Sequence, residues 1–86
     1  MWDIQLSDRA RKALSKLDRQ IAQRIRDGLD RLAALEDPTA PCKPLSGPLA
    51  GLWRYRLGDY RVILDVDRNK VVIVALDLGH RSDIYG

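Results

Sequence analysis

The chain has one cysteine, Cys42, and one histidine, His80, in 86 residues. A single thiol cannot close an internal disulfide, and there is no Cys/His cluster of the kind that holds zinc. No apolar run is long enough to span a bilayer. The opening MWDIQLSDRARK lacks a basic region followed by an apolar stretch, so no secretory leader is expected. A reduced, cytoplasmic protein without membrane contact follows as the expectation. Internal repeats and low-complexity tracts are also missing. So is bulk: one domain over residues 1–86 buries only about 60–65% of its unfolded surface, which leaves little room for a deep pocket and favours a surface or groove site. Acidic residues are slightly outnumbered, with 15 Lys and Arg against 12 Asp and Glu, a net charge of +3 and a pI near 9.4. This balance fits either an anionic partner such as nucleic acid or a solvated basic surface.

What is present has clear periodicity. Trp2, Ile4 and Leu6 alternate with Asp3 and Gln5, the period of a short strand with one buried face. Ser7 or Asp8 caps a helix through DRARKALSKL, and Asp18 caps a second in which Ile21, Ile25, Leu29 and Leu32 form one apolar stripe. Gly28 interrupts that helix at a propensity cost of about 1 kcal/mol relative to Ala. The stretch from Glu36 to Gly51 holds all four prolines and reads as a loop. Three strands follow: Leu52–Leu57, a Gly58-Asp59 turn, Tyr60–Val66, a DRNK turn, and the apolar VVIVALDL. The expected fold class is α+β: an N-terminal strand, a helical hairpin, then a three-stranded antiparallel meander, with both helices on one face of a four-stranded sheet.

Alternation places Arg54 and Arg56 on one face of their strand and Arg61 on one face of the next. The bulky set Trp53, Tyr55, Leu57, Tyr60, Val62 and Leu64 falls on the opposite faces. If the bulky set meets the helices, three guanidinium groups cluster on the free face. Like charges on neighbouring strands cost free energy. Either Asp59, Asp65 or Asp77 compensates them, or they await an anion; guanidinium forks match phosphate oxygens bidentately. The tail GHRSDIY adds His80, a fourth guanidinium in Arg81, and in Tyr85 a ring able to stack on a base or to close the core.

The segments LSGPLAGLWRYRLGDYRVILDV and VVIVALDLGHRSDIY closely resemble the RelE branch of the RelE/ParE toxin superfamily, and the likeness covers the whole chain. The resemblance implies a RelE-like toxin of a type II toxin–antitoxin system that enters the ribosomal A site and cuts mRNA there. It implies attack by the 2′-hydroxyl on the adjacent phosphate, with no metal or other cofactor. It also implies a RelB-like antitoxin encoded alongside, and no DNA contact by the toxin alone. Carried over residue by residue, it makes Arg54, Arg56, Arg61, Arg81 and Tyr85 site residues. Well-known members have lysines where this chain has Arg54 and Arg56. Arginine keeps its proton to a pKa above about 12 and is a poor base, so His80 becomes the substitute by side-chain type. The alternatives are a ParE-type toxin that inhibits DNA gyrase without a nuclease site, which shares the fold, and a non-catalytic RNA-binding module.

Overall fold

The computed structural model describes residues 1–80; Arg81 and Tyr85 lie outside the described residues. The element order is β1 (Asp3–Leu6), α1 (Asp8–Ser15), α2 (Arg19–Ala33), β2 (Lys43–Pro44), β3 (Trp53–Leu57), β4 (Tyr60–Asp67) and β5 (Val72–His80), with one 3₁₀ turn at Gly47–Leu49. The helices start where their caps predict. The Ser7 hydroxyl accepts from the Ala10 N–H, and the Asp18 carboxylate accepts from the Gln20 N–H, each at 3.0 Å. Both bonds satisfy first-turn donors that have no partner within the helix. No helix among the described residues is long and apolar enough to cross a membrane.

The α+β class holds, with one correction to the sheet. Among the described residues it has five strands, not four, in the order β1-β5-β4-β3-β2. It is also mixed, because β1 runs parallel to β5 while the other pairs are antiparallel. The extra strand comes from the proline-rich loop, where Lys43 pairs with Arg54 and Pro44 with Trp53. Pro44 has no N–H to give a further neighbour, which suits it to the sheet edge. Between β3 and β4, Gly58 at φ +60° makes the two-residue turn whose first central residue needs a positive φ.

The core lies between the helices and one sheet face. Leu14 of α1 and Ile25, Leu29 and Leu32 of α2 pack on Val62, Leu64, Ile73 and Ala75, all nearly inaccessible. Burying each of the larger side chains contributes about 1.5–3 kcal/mol. Trp2, Ile4 and Leu6 join this cluster, as their alternation requires. Gly28 turns out to be a contact point: a Cβ there would lie 2.5 Å from Cδ2 of Leu57. The missing side chain lets α2 approach β3 closely.

One irregularity shapes everything downstream. The β4–β5 register shifts between Ile63 and Leu64: Ile63 faces Asp77, but Leu64 faces Ala75, so Leu76 is an extra residue on β5. This is a β-bulge, and it resets which side chains face which way. Ala75 and Leu78 are both buried although three residues apart. Ser7 holds the bulge in place, its hydroxyl donating to the Leu76 carbonyl at 2.6 Å and its N–H to the Ala75 carbonyl at 2.9 Å.

Candidate functional site

Directly opposed residues of an antiparallel pair project from the same face. Two rows follow on the face away from the helices. In one, Arg56 opposes Arg61, which opposes Gly79; in the other, Lys43 opposes Arg54, which opposes Ile63, which opposes Asp77. The rows are two residues apart along each strand, about 7 Å. Val62 and Leu64, wholly buried on the helix side, fix the sense of β4 and therefore of its neighbours. Arg54, Arg56 and Arg61 thus share one face, as the alternation predicts.

Lys43 is the residue that sequence reasoning missed. It lies in the proline-rich segment that reads as loop, and only its pairing with Arg54 brings it beside the arginines. The available signal was local alternation: Cys42 packs toward the core, so the next side chain points outward.

Lys43 and Arg56 are exposed, while Arg54 and Arg61 are half-buried. Arg56 Nε donates to the Gly58 carbonyl at 3.3 Å. Asp77 forms its ion pair with Arg9 of α1 at 3.3 Å, away from the cluster. Further ion pairs among the described residues join Arg11 to Asp8 and Arg68 to Asp37. Among the described residues, no carboxylate is within ion-pairing distance of Arg54 or Arg56. Compensation by Asp59, Asp65 or Asp77 is therefore not what holds these two groups. Their arrangement is a preformed cationic surface, suited to several phosphate oxygens at once.

His80 is not brought to this surface. It opposes Tyr60 across the β4–β5 ladder, and the two rings meet edge to face with centroids 5.6 Å apart. Both line hollows bounded by α1 and α2. The bulge is the cause, since an unbroken alternation from Ile73 and Ala75 would have turned His80 toward the arginines. Among the described residues, no three His, Cys, Asp or Glu side chains group in a way that would hold a metal ion.

Comparison with known proteins finds relatives over nearly the whole chain. A family model described as the ParE toxin of type II toxin–antitoxin systems matches residues 4–85. Toxin RelG of Mycobacterium tuberculosis is 32% identical over 85 residues, covering 98% of this chain and 95% of that protein. The crystal structure of the RelBE2 toxin–antitoxin complex of the same organism has a chain 29% identical, with a TM-score of 0.81 over 95% of this chain and 93% of that one. The archaeal RelE–RelB complex of Pyrococcus horikoshii gives 29% identity and a TM-score of 0.74, over 96% of this chain and 98% of that one. With the family model matching nearly end to end, and relatives of this kind in both sequence and fold, the chain belongs to the RelE/ParE superfamily of type II toxin–antitoxin toxins.

Proposed function

We propose that this toxin is a ribosome-dependent endoribonuclease that cuts mRNA in the A site by attack of the substrate's own 2′-hydroxyl on the adjacent phosphate. The observation that carries the reading is the convergence of Arg54, Arg56 and Arg61, with Lys43, on the sheet face turned away from α1 and α2. Such a cleavage passes through a dianionic phosphorane, and pre-placed cations stabilise charge that develops there. Arg61 neutralises the scissile phosphate, joined by Arg81. Lys43, Arg54 and Arg56 grip the flanking backbone, and Tyr85 stacks on a nucleotide to hold it for in-line attack. Guanidinium groups do not take up the 2′-hydroxyl proton. His80 faces the helices, so His80→Ala is expected to leave the single-turnover rate at saturating protein nearly unchanged.

A cognate antitoxin is the second part of the reading. Its support is that two of the similar solved structures, each 29% identical, are toxin–antitoxin complexes. An antitoxin segment with acidic residues over the arginine face would neutralise it, and binding to the folded state alone would stabilise this thin domain.

The test is cleavage on programmed ribosomes with product analysis. Arg61→Ala should lower the single-turnover rate by about 10²–10³ while ribosome binding changes little. Product ends of 2′,3′-cyclic phosphate and 5′-hydroxyl support the mechanism; a 5′-phosphate would require an attacking water instead. The second reading is inhibition of DNA gyrase by binding, which a ParE-type resemblance implies; what favours it is that the matching family model is described as a ParE toxin. Loss of supercoiling activity by purified gyrase, with ribosome-bound mRNA left intact, would establish that reading and displace the first.

A further inference from the structure

The side of the molecule opposite the arginine face is also basic, and its charges are not scattered. β1 pairs with β5 only as far as Ala75. Among the described residues, no strand pairs with β5 on this side beyond that point, and α1 lies next to it. A hollow of about 470 Å³ opens there, with Arg9, Lys12 and Lys16 on one wall and Tyr60 and His80 on the other. The three cations recur at i, i+3 and i+7, one stripe along α1 and its cap. At a rise of ~1.5 Å per residue they span roughly 10 Å. A second hollow of about 290 Å³ continues past the same Tyr60 and His80 to Arg24 of α2.

Arg9, Lys12, Lys16 and Arg24 are all exposed. Among the described residues that line the two hollows, two carboxylates stand with these four cations: Asp77, paired with Arg9, and Asp59 at the far end. The aromatic pair sits at the junction, ring edge against ring face. A cationic track leading to aromatic rings is the pattern that grips single-stranded nucleic acid, phosphates on the cations and a base against a ring. The competing occupant, an amphipathic helix with acidic flanks, needs an exposed apolar strip to bury. Leu17, Ile21 and Leu57 in the walls of the hollows are only partly exposed, Ile25 and Leu78 are buried, and the large apolar residues that stand exposed among the described residues, Met1, Leu35 and Val71, line neither hollow.

We propose that this groove is a second RNA-binding track, running along Arg9, Lys12 and Lys16 to the Tyr60–His80 pair and Arg24, separate from the arginine face. RNA held on both surfaces passes around the open edge of β5.

The probe is a fluorescent single-stranded oligouridylate of about 12 nucleotides, titrated at several salt concentrations without ribosomes. The background is Arg54→Ala/Arg56→Ala, which weakens the arginine face. Adding Lys12→Ala/Lys16→Ala should make the log–log salt slope shallower by about 1.4, two phosphate contacts at roughly 0.7 each, which at 0.1 M salt amounts to ~25-fold weaker binding. The same pair in the otherwise unchanged chain should shift the slope equally, and the melting temperature should stay put because both lysines are exposed. An unchanged slope and affinity overturns the proposal. So does capture of a Glu-rich helical peptide by a groove that leaves RNA unbound. Because neither ribosome nor cleavage enters the assay, failure here leaves the nuclease reading standing, and failure of cleavage leaves this track standing.

Discussion

Arg56→Gln separates a functional cationic surface from a structural one more cleanly than any loss of activity alone. Arg56 stands directly across from Arg61, so two guanidinium stems start about 5 Å apart on neighbouring strands. Direct like-charge opposition of this kind costs about 0.2–1 kcal/mol, and solvent screening at the exposed Arg56 places the value near the lower end. The substitution also removes the bond from Arg56 Nε to the Gly58 carbonyl, an exposed contact at 3.3 Å that offsets only part of the gain. The expected balance is a stability gain between about 0 and 0.5 kcal/mol, or roughly 0–4 °C in melting temperature for a domain this size. Affinity for RNA should fall at the same time, with a salt slope shallower by about 0.7 and roughly fivefold weaker binding at 0.1 M salt. Thermal melts and salt-dependent fluorescence titrations read the two quantities independently. A loss of more than about 1 kcal/mol on removing Arg56 would show that the arginines hold the sheet together, and the reasoning from charge clustering would fail.

Three other perturbations test the fold that presents this surface. Gly28→Ala gains about 1 kcal/mol of helix propensity, but the new methyl group must displace Leu57; the gain should therefore be larger in a Leu57→Ala background, and a double-mutant cycle showing no coupling would refute the close contact. Asp37 accepts from the Thr39 hydroxyl and N–H and from Arg68, which holds its carboxyl below the usual range, the Thr39 bonds contributing most. A carboxyl with a depressed folded-state pKa contributes stability above its unfolded value, near 3.9, and loses it as pH falls through the folded value. The stability difference between wild type and Asp37→Asn should thus be constant near neutrality and shrink below about pH 4; a difference that persists in acid would exclude the charge as its source. Burial, with a smaller effect from Asp37, pushes the Cys42 thiol up to about 11, so alkylation near neutral pH should run about 100-fold slower than for an unperturbed thiol. Labelling at the ordinary rate would mean that the proline-rich loop opens readily.

Two periodicities made most of the architecture legible. The 3.6-residue stripe in α2 and the strict alternation of β3 and of β4 each assign a face without any knowledge of neighbours. Once the bulky face is core, Arg54, Arg56 and Arg61 have only one place to go. β2 was hidden for a different reason: two residues cannot display a period, and a proline beside Lys43 reads as loop. Gly28 looked like a defect because propensity is a property of an isolated helix, whereas Leu57 is a neighbour 29 positions away in sequence.

His80 shows where alternation ceases to be a guide. A one-residue bulge reverses every side chain beyond it, and this one is set by Ser7, on the other side of the chain, whose hydroxyl and N–H take the carbonyls of Leu76 and Ala75. The residue that caps α1 therefore also decides which face receives His80. The consequence is a division of labour across one sheet. Among the described residues, the flat face carries Lys43, Arg54, Arg56 and Arg61, while the helix side carries Tyr60 and His80 among the cations of α1 and α2. Without the bulge, the histidine would join the arginines and Tyr60 would lose the ring that packs against it. A single inserted residue on β5 thus supplies the aromatic junction of one surface and keeps His80 off the other.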